Sequence, residues 1–259
     1  MVSFKIDILM EIVRKAALII TSDGDRTIAR SRSSSDYTTI TDLRVETFIK
    51  DKLIKLSPQS FIIAEESFEP RNIDEWSRSA FVLDPVDGTI NFRHSYNASA
   101  ISLAYFDDGA PVYAVVFDPF RQEMFTAEAG RGTKLNGQTV SVSSVKRVED
   151  ALVGFGTTPY DKERGVEMLD VAGRVYSKCQ DIRRQGAAAL DLAYVACGRL
   201  DAFFEMDLKP WDFYGGMLLV REAGGRVSDW DGFPLKGLEK QSVLASNDQI
   251  HGLLVDELK

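Results

Sequence analysis

Ala80-Phe81-Val82-Leu83-Asp84-Pro85-Val86-Asp87-Gly88-Thr89-Ile90-Asn91-Phe92 is the stretch on which the fold of this chain turns. Four apolar residues read as a buried strand that stops abruptly at an acid. Pro85 fixes φ and lacks an amide hydrogen, so the turn is stiff and Asp84 and Asp87 can face one side. The Val86 carbonyl lies between them. Three oxygens within four residues form a hard-ligand set suited to Mg2+. Gly88 and Thr89 follow where the turn enters a short helical segment, whose amides suit a phosphate oxygen. Glycine lets the backbone approach such a ligand closely. Taken alone, the same five residues describe a capped turn with an ion-paired acid equally well.

The neighbouring segments repeat the pattern. Phe61-Ile62-Ile63-Ala64 is another short apolar strand, and it ends in Glu65-Glu66, two adjacent acids that repel unless a cation offsets them. Pro210 and Trp211 introduce a helix with Asp212 in its first turn, where an acid also favours the helix dipole. Acids from separate segments beside an anion cradle are what a pair of divalent ions needs to clamp an in-line displacement at phosphorus.

The remaining chain frames this cluster. Phe4, Ile8, Ile12, Ala16 and Ile19 recur at helical spacing, and charged residues interrupt every candidate leader core, so the start reads as an amphipathic helix. Thr21 to Asp36 reads as a polar surface loop, with Asp23-Gly24-Asp25 a plain turn. A second helix, capped by Thr41 or Asp42, runs to about Leu56 with Val45, Phe48, Ile49, Leu53 and Ile54 inward. Strands are expected at 99–106, 112–117, 122–128 and 133–142, then at 151–155, 201–205, near Val227 and at 242–245. Helices are expected near 161–176, 187–197, 212–223 and 248–258. Helices flanking mixed sheets predict a layered α/β or α+β sandwich. Residues 1–259 form one domain, with a weak boundary near 143–150 between halves of about 1–145 and 146–259.

Composition excludes other classes. A net charge of −8 argues against a general nucleic-acid or acidic-membrane binder. No stretch reaches transmembrane length. Cys179 and Cys197 read as reduced thiols of a cytosolic protein. His94 and His251 read as incidental surface or turn residues.

Together these residues resemble the inositol monophosphatase family. Ala64-Glu65-Glu66-Ser67, the Asp84–Phe92 run, and Trp211-Asp212 with Glu222-Ala223-Gly224-Gly225 stand in the family's order, and the similarity runs from about residue 5 to the end. The resemblance implies an αβαβα sandwich of the inositol monophosphatase and fructose-1,6-bisphosphatase type, commonly a homodimer. It implies two or three Mg2+ ions held by Glu65, Asp84, the Val86 carbonyl, Asp87 and Asp212. Thr89 matches the hydroxyl that helps activate water, Asp42 the acid bonded to it, and Glu66 an acid near that water. Gly88 and Thr89 match the phosphate contacts. Arg183, Gly186, Ala188 and Glu205, with Asp87 and Asp212, match the side that meets the substrate's alcohol portion.

One departure stands out: many members carry a lysine shortly before the acid at Asp36, where this chain reads Arg30-Ser31-Arg32-Ser33. Arginine keeps the charge but changes the geometry. The implied activity is hydrolysis of inositol-1-phosphate or a similar polyol or sugar phosphate. Fructose-1,6-bisphosphate, histidinol phosphate and 3′-phosphoadenosine phosphate are rival substrates. A regulatory protein binding RNA or the transcription machinery on the same fold is the non-enzymatic alternative.

Overall fold

The computed structural model describes residues 4–22, 24–31, 33–69 and 79–258. Helices α1 (Ile6–Ser22) and α2 (Ile40–Leu56) precede strand β3 (Phe61–Ala64), and strands β1 (Ile28–Ser31) and β2 (Tyr37–Thr39) lie between them as an antiparallel pair. Strands β4 (Ser79–Asp87), β5 (Ala100–Asp107), β6 (Ala110–Asp118), β7 (Glu123–Glu128), β8 (Thr133–Leu135) and β9 (Gln138–Val140) join β3 in a seven-stranded sheet in chain order. Its hairpins turn at Asp108-Gly109 and Asn136-Gly137, where all four residues hold the positive φ such turns require. A short helix α3 (Thr89–Arg93) follows β4.

The second sheet is built from β10 (Leu152–Phe155), β11 (Asp181–Arg183), β12 (Ala202–Leu208), β13 (Gly225–Ser228) and β14 (Gln241–Asn247), in the order β11-β10-β12-β14-β13. Helices α4 (Lys162–Tyr176), α5 (Ala188–Ala196), α6 (Pro210–Glu222) and α7 (His251–Leu258) complete the chain.

Strand alternation sorts the apolar residues into three cores and so stacks the layers. Phe81, Leu83, Ile101, Leu103, Val115 and Phe117 face α1 and α2. Ala80, Val82, Ala104, Phe106 and Val116 face the opposite way, onto α5 and α6, which also cover Phe203, Val243 and Ala245 of the second sheet. Ala202, Phe204 and Leu244 point out to α4 and α7. The result is an αβαβα sandwich. Two glycines let the central helices settle: a Cβ on Gly216 of α6 would stand 2.3 Å from Leu192 Cβ of α5, and one on Gly215 would stand 2.5 Å from Ser102 Oγ of β5.

Several local expectations need correction. The buried stripe of α1 is Leu9, Ile12, Val13, Ala16, Ala17 and Ile20, whereas Ile8 is exposed. A string of i, i+4 residues drifts about 40° per step around a 3.6-residue helix, so it cannot follow one face for long. The polar stretch before Asp36 contains β1, whose four exposed residues carry no apolar alternation to betray a strand. Helix α2 is capped by Thr39 in a capping box with Asp42 at its third position, and Ile54 is exposed. Gly24 is no plain surface turn, since a Cβ there would meet Ile20 O and the Phe92 ring; Asp23 lies outside the described residues.

His251 is buried, bonded through Nε2 to Ser228 Oγ (2.9 Å) and through Nδ1 to Ser246 Oγ (2.8 Å), and burial pushes its pKa down to about 4. His94 is exposed. Cys179 and Cys197 are both free and half-buried. Among the described residues no helix is long and apolar enough to cross a membrane.

Candidate active site

Parallel strands β3 and β4 end side by side, with Ala64 opposite Leu83, so Glu65-Glu66 and Asp84 emerge at one edge. Between Asp84 and Asp87 the β4–β5 register slips: three steps on β4, from Asp84 to Asp87, match two on β5, from Ser102 to Ala100. This bulge turns the strand end toward the cavity. Gly88 then takes φ +84°, and a Cβ there would stand 2.9 Å from Ala98 O and 3.1 Å from Ala187 Cβ. Glycine at 88 therefore lets two loops close on the Asp84–Asp87 turn.

One cavity is lined by Glu65, Asp84, Val86, Asp87, Thr89 and Asp212. Thr157, Tyr160, Arg184, Gly186, Ala188 and Glu205 line it as well. The four acids proposed from three separated segments thus converge. Each is also held locally. Val86 N–H donates to Asp84 Oδ1 (3.0 Å), Lys209 N–H to Asp212 Oδ2 (2.7 Å), and Ala189 N–H to Asp87 Oδ2 (2.7 Å). The last bond caps α5, whose own N-cap residue, Ala187, offers no side-chain oxygen.

Electrostatics mark the cluster as short of positive charge. Burial, then the neighbouring carboxylates, push Glu65 and Asp84 well above the usual carboxylate range. Burial, then Asp212, raises Asp87 to about 7, and burial raises Asp212 to about 6. Among the described residues no three His, Cys, Asp or Glu side chains close on a single point as a finished cage; the acids ring the cavity instead. Carboxylates plus the Val86 carbonyl, without thiolate or imidazole, are the donors of a hard divalent cation, and the repulsion among them is what such a cation relieves.

Beside them, Thr89 Oγ1 lies 3.1 Å from Asp42 Oδ1 and 3.1 Å from Val86 O, two acceptors for one proton. Asp42 is fully buried and accepts Thr39 N–H at 3.0 Å and the Thr39 hydroxyl, and burial lifts its pKa to about 6. Glu66 accepts from Thr38 Oγ1 (2.5 Å) of β2, and burial lifts it to about 7. Arg30 reaches the same wall, donating to Glu66 O (3.3 Å). Asp36 borders a neighbouring cavity that Glu65, Glu66 and Thr89 share, and Arg32 lies outside the described residues.

Glu205 lies flat against Gly156, where a Cβ would stand 1.8 Å from Glu205 Oε2. Arg183 does not reach the cavity: its Nη1 donates to Asp181 Oδ2 (2.5 Å) and Ile182 O (2.8 Å). Arg184, one residue on, lines the cavity and donates from Nη2 to Thr157 Oγ1 (3.1 Å). Sequence reasoning also passed over Asn91. Its Nδ2 donates to Ala98 O (2.8 Å), Gln185 O (2.9 Å) and Gly186 O (3.2 Å), tying the 185–186 loop to the segment after Asp87. Its place inside the quoted run was the available signal. Thr157 and Tyr160 carried none, since their loop joins the site only through the fold.

Comparison with known proteins agrees with this geometry. The inositol monophosphatase family matches residues 3–259. Nus factor SuhB of Escherichia coli is 40% identical over 230 residues, which cover 88% of this chain and 85% of that protein. An inositol-1-monophosphatase of Rhizobium meliloti is 39% identical over 219 residues, 85% of this chain and 81% of that protein. The crystal structure of extragenic suppressor protein suhB from Bartonella henselae superposes with a TM-score of 0.88 at 34% identity, covering 98% of both chains. With its sandwich, its ordered motifs and its ring of acids, the chain belongs to the inositol monophosphatase family.

Proposed function

We propose that this protein is a Mg2+-dependent phosphomonoesterase that releases phosphate from inositol-1-phosphate or a similar small polyol or sugar phosphate. The observation that carries this reading is the convergence of Glu65, Asp84, Asp87 and Asp212 on a cavity that also holds Thr89, Arg184 and Glu205. Two or three ions would be held by those four acids and the Val86 carbonyl. When bound, Mg2+ neutralises phosphoryl charge and acidifies water.

The chain's own groups do the rest. Asp42 and the Val86 carbonyl hold the Thr89 proton, leaving the hydroxyl oxygen to orient the attacking water. Glu66 stands ready to accept that water's proton. The Gly88 and Thr89 amides receive the phosphate. Glu205 accepts from hydroxyls of the alcohol portion, Gly186 and Ala188 floor it, and Arg184 presents the cation that Arg183 does not bring to the cavity. A cytoplasmic homodimer belongs to the same proposal.

The test is phosphate release from inositol-1-phosphate, fructose-1,6-bisphosphate, histidinol phosphate and 3′-phosphoadenosine phosphate, with Mg2+ and with EDTA. Asp87→Asn is expected to lower turnover by roughly a hundredfold or more while the protein stays folded, because Asn retains an oxygen for the Ala189 amide. Near-normal turnover in that variant would count against the site. A second reading, a regulatory binding protein on this fold, draws on the name Nus factor carried by the E. coli relative. Tight binding to transcription components without Mg2+-dependent release from any substrate would favour it.

A further inference from the structure

Strand β12 carries a second bulge. Glu205 pairs with Val243 and Leu208 with Gln241, so three steps on β12 match two on β14. Asp207 sits in the bulge at φ +56°, a conformation non-glycine residues seldom adopt. Its carboxylate is gripped from both sides by Arg164, with Nε 3.0 Å from Oδ2 and Nη2 3.4 Å from Oδ1. The third guanidinium nitrogen donates to Glu167 Oε2 at 2.9 Å.

The two partners belong to different elements beside the cavity. Arg164 lies in the first turn of α4, whose N-cap, Asp161, receives the Glu163 and Arg164 amides. The residues just before that cap, Thr157, Pro159 and Tyr160, line the cavity. Asp207 lies between Glu205 and Leu208, which line the same cavity. Arg164 is absent from the lining, and Asp207 lines only an adjoining cavity that shares Thr157, Tyr160 and Glu205 with it. Their side chains are 42% and 32% exposed, so the pair links the start of α4 to the β12 bulge without being sealed in the core.

We propose that Arg164 and Asp207 form a clasp that fixes the 157–160 loop against the Glu205 bulge and so sets which alcohol portions the site accepts. Both are positioning residues, and the specificity part rests on the phosphatase reading above. Bulges beside active sites re-aim side chains, and strain there is held in place by the surroundings. Here the aimed side chain is Glu205 and the holding group is a guanidinium from another layer.

Three variants separate clasp from bulge. Arg164→Ala removes the grip, Asp207→Asn removes the charge while tolerating the left-handed backbone, and Asp207→Gly removes the side chain where glycine is at ease. In each, KM for inositol-1-phosphate is expected to rise roughly two- to fivefold, the range of a part-exposed ion pair, with kcat nearly unchanged. Hydrolysis of p-nitrophenyl phosphate, which has no hydroxyls for Glu205, is expected to stay the same.

The Arg164→Ala/Asp207→Asn double variant is expected to be no worse than either single one. Amide hydrogen exchange of residues 157–161 is expected to quicken in all three. Equal losses on both substrates, additive effects, or unchanged exchange would overturn the clasp. If wild type hydrolyses nothing, the phosphatase reading fails by itself, and the exchange measurement still decides whether the clasp holds the loop.

Discussion

At Glu205 and Gly156 the site depends on the absence of a single carbon. The acid fills the space a side chain at 156 would need, with 1.8 Å between Glu205 Oε2 and a Cβ placed there. Gly156→Ala must therefore displace the carboxylate or shift the backbone. The expected outcome is a stability loss of about 1–3 kcal/mol, the ordinary cost of overpacking, together with altered preference among polyol phosphates. Thermal unfolding and the substrate panel check both halves; an unchanged panel would free Glu205 from a recognition role. The same scale shows what the sequence could and could not reveal. Asp84 and Asp87 announce themselves because proline and glycine constrain a short turn around them. Arg183 and Arg184 are adjacent and chemically identical, so a motif cannot tell which guanidinium enters the cavity; the backbone of β11 decides it.

Among the elements, legibility followed the strength of periodicity. Strands β3 to β7 alternate between two cores, and their ends were readable to within a few residues. The pair β1–β2 and the three-residue β11 carry no such pattern, because exposed or very short strands impose no choice of face. The capping box of α2 hid in plain view at Thr39 and Asp42, one turn register away from the expected cap. Helix α6 gives a prediction at this scale. Its Gly216 permits contact with Leu192 of α5, and a Cβ would come within 2.3 Å of that side chain. Gly216→Ala gains helix propensity but is expected to lose on balance about 1–3 kcal/mol, measured by chemical denaturation, because the two helices must separate. A stabilised variant would show that the α5–α6 contact yields easily.

Across the whole molecule, two sheets and a central helical layer bring acids from residues 65 to 212 into one ring, and that ring costs stability when no cation is bound. Folded-state pKa values raised to about 7 for Glu66 and Asp87 and about 6 for Asp42 and Asp212 exceed those of unfolded carboxylates, so the folded state binds more protons. The stability these groups contribute is fully present below pH 4 and lost as pH rises through 6 to 7. In EDTA, the midpoint of thermal unfolding is accordingly expected to drop as pH rises from about 4 to about 7, and Mg2+ is expected to flatten that slope. His251 acts in the opposite sense: its pKa of about 4 lowers stability as pH falls below about 6.5, with or without metal. The most direct check of the central claim is an anomalous difference map from crystals grown with Mn2+, which takes the oxygen ligands of Mg2+. Peaks within about 2.5 Å of carboxylate oxygens of Glu65, Asp84, Asp87 and Asp212 are the expected result. A map with no peak among these four side chains, at Mn2+ concentrations that support phosphate release, would contradict it.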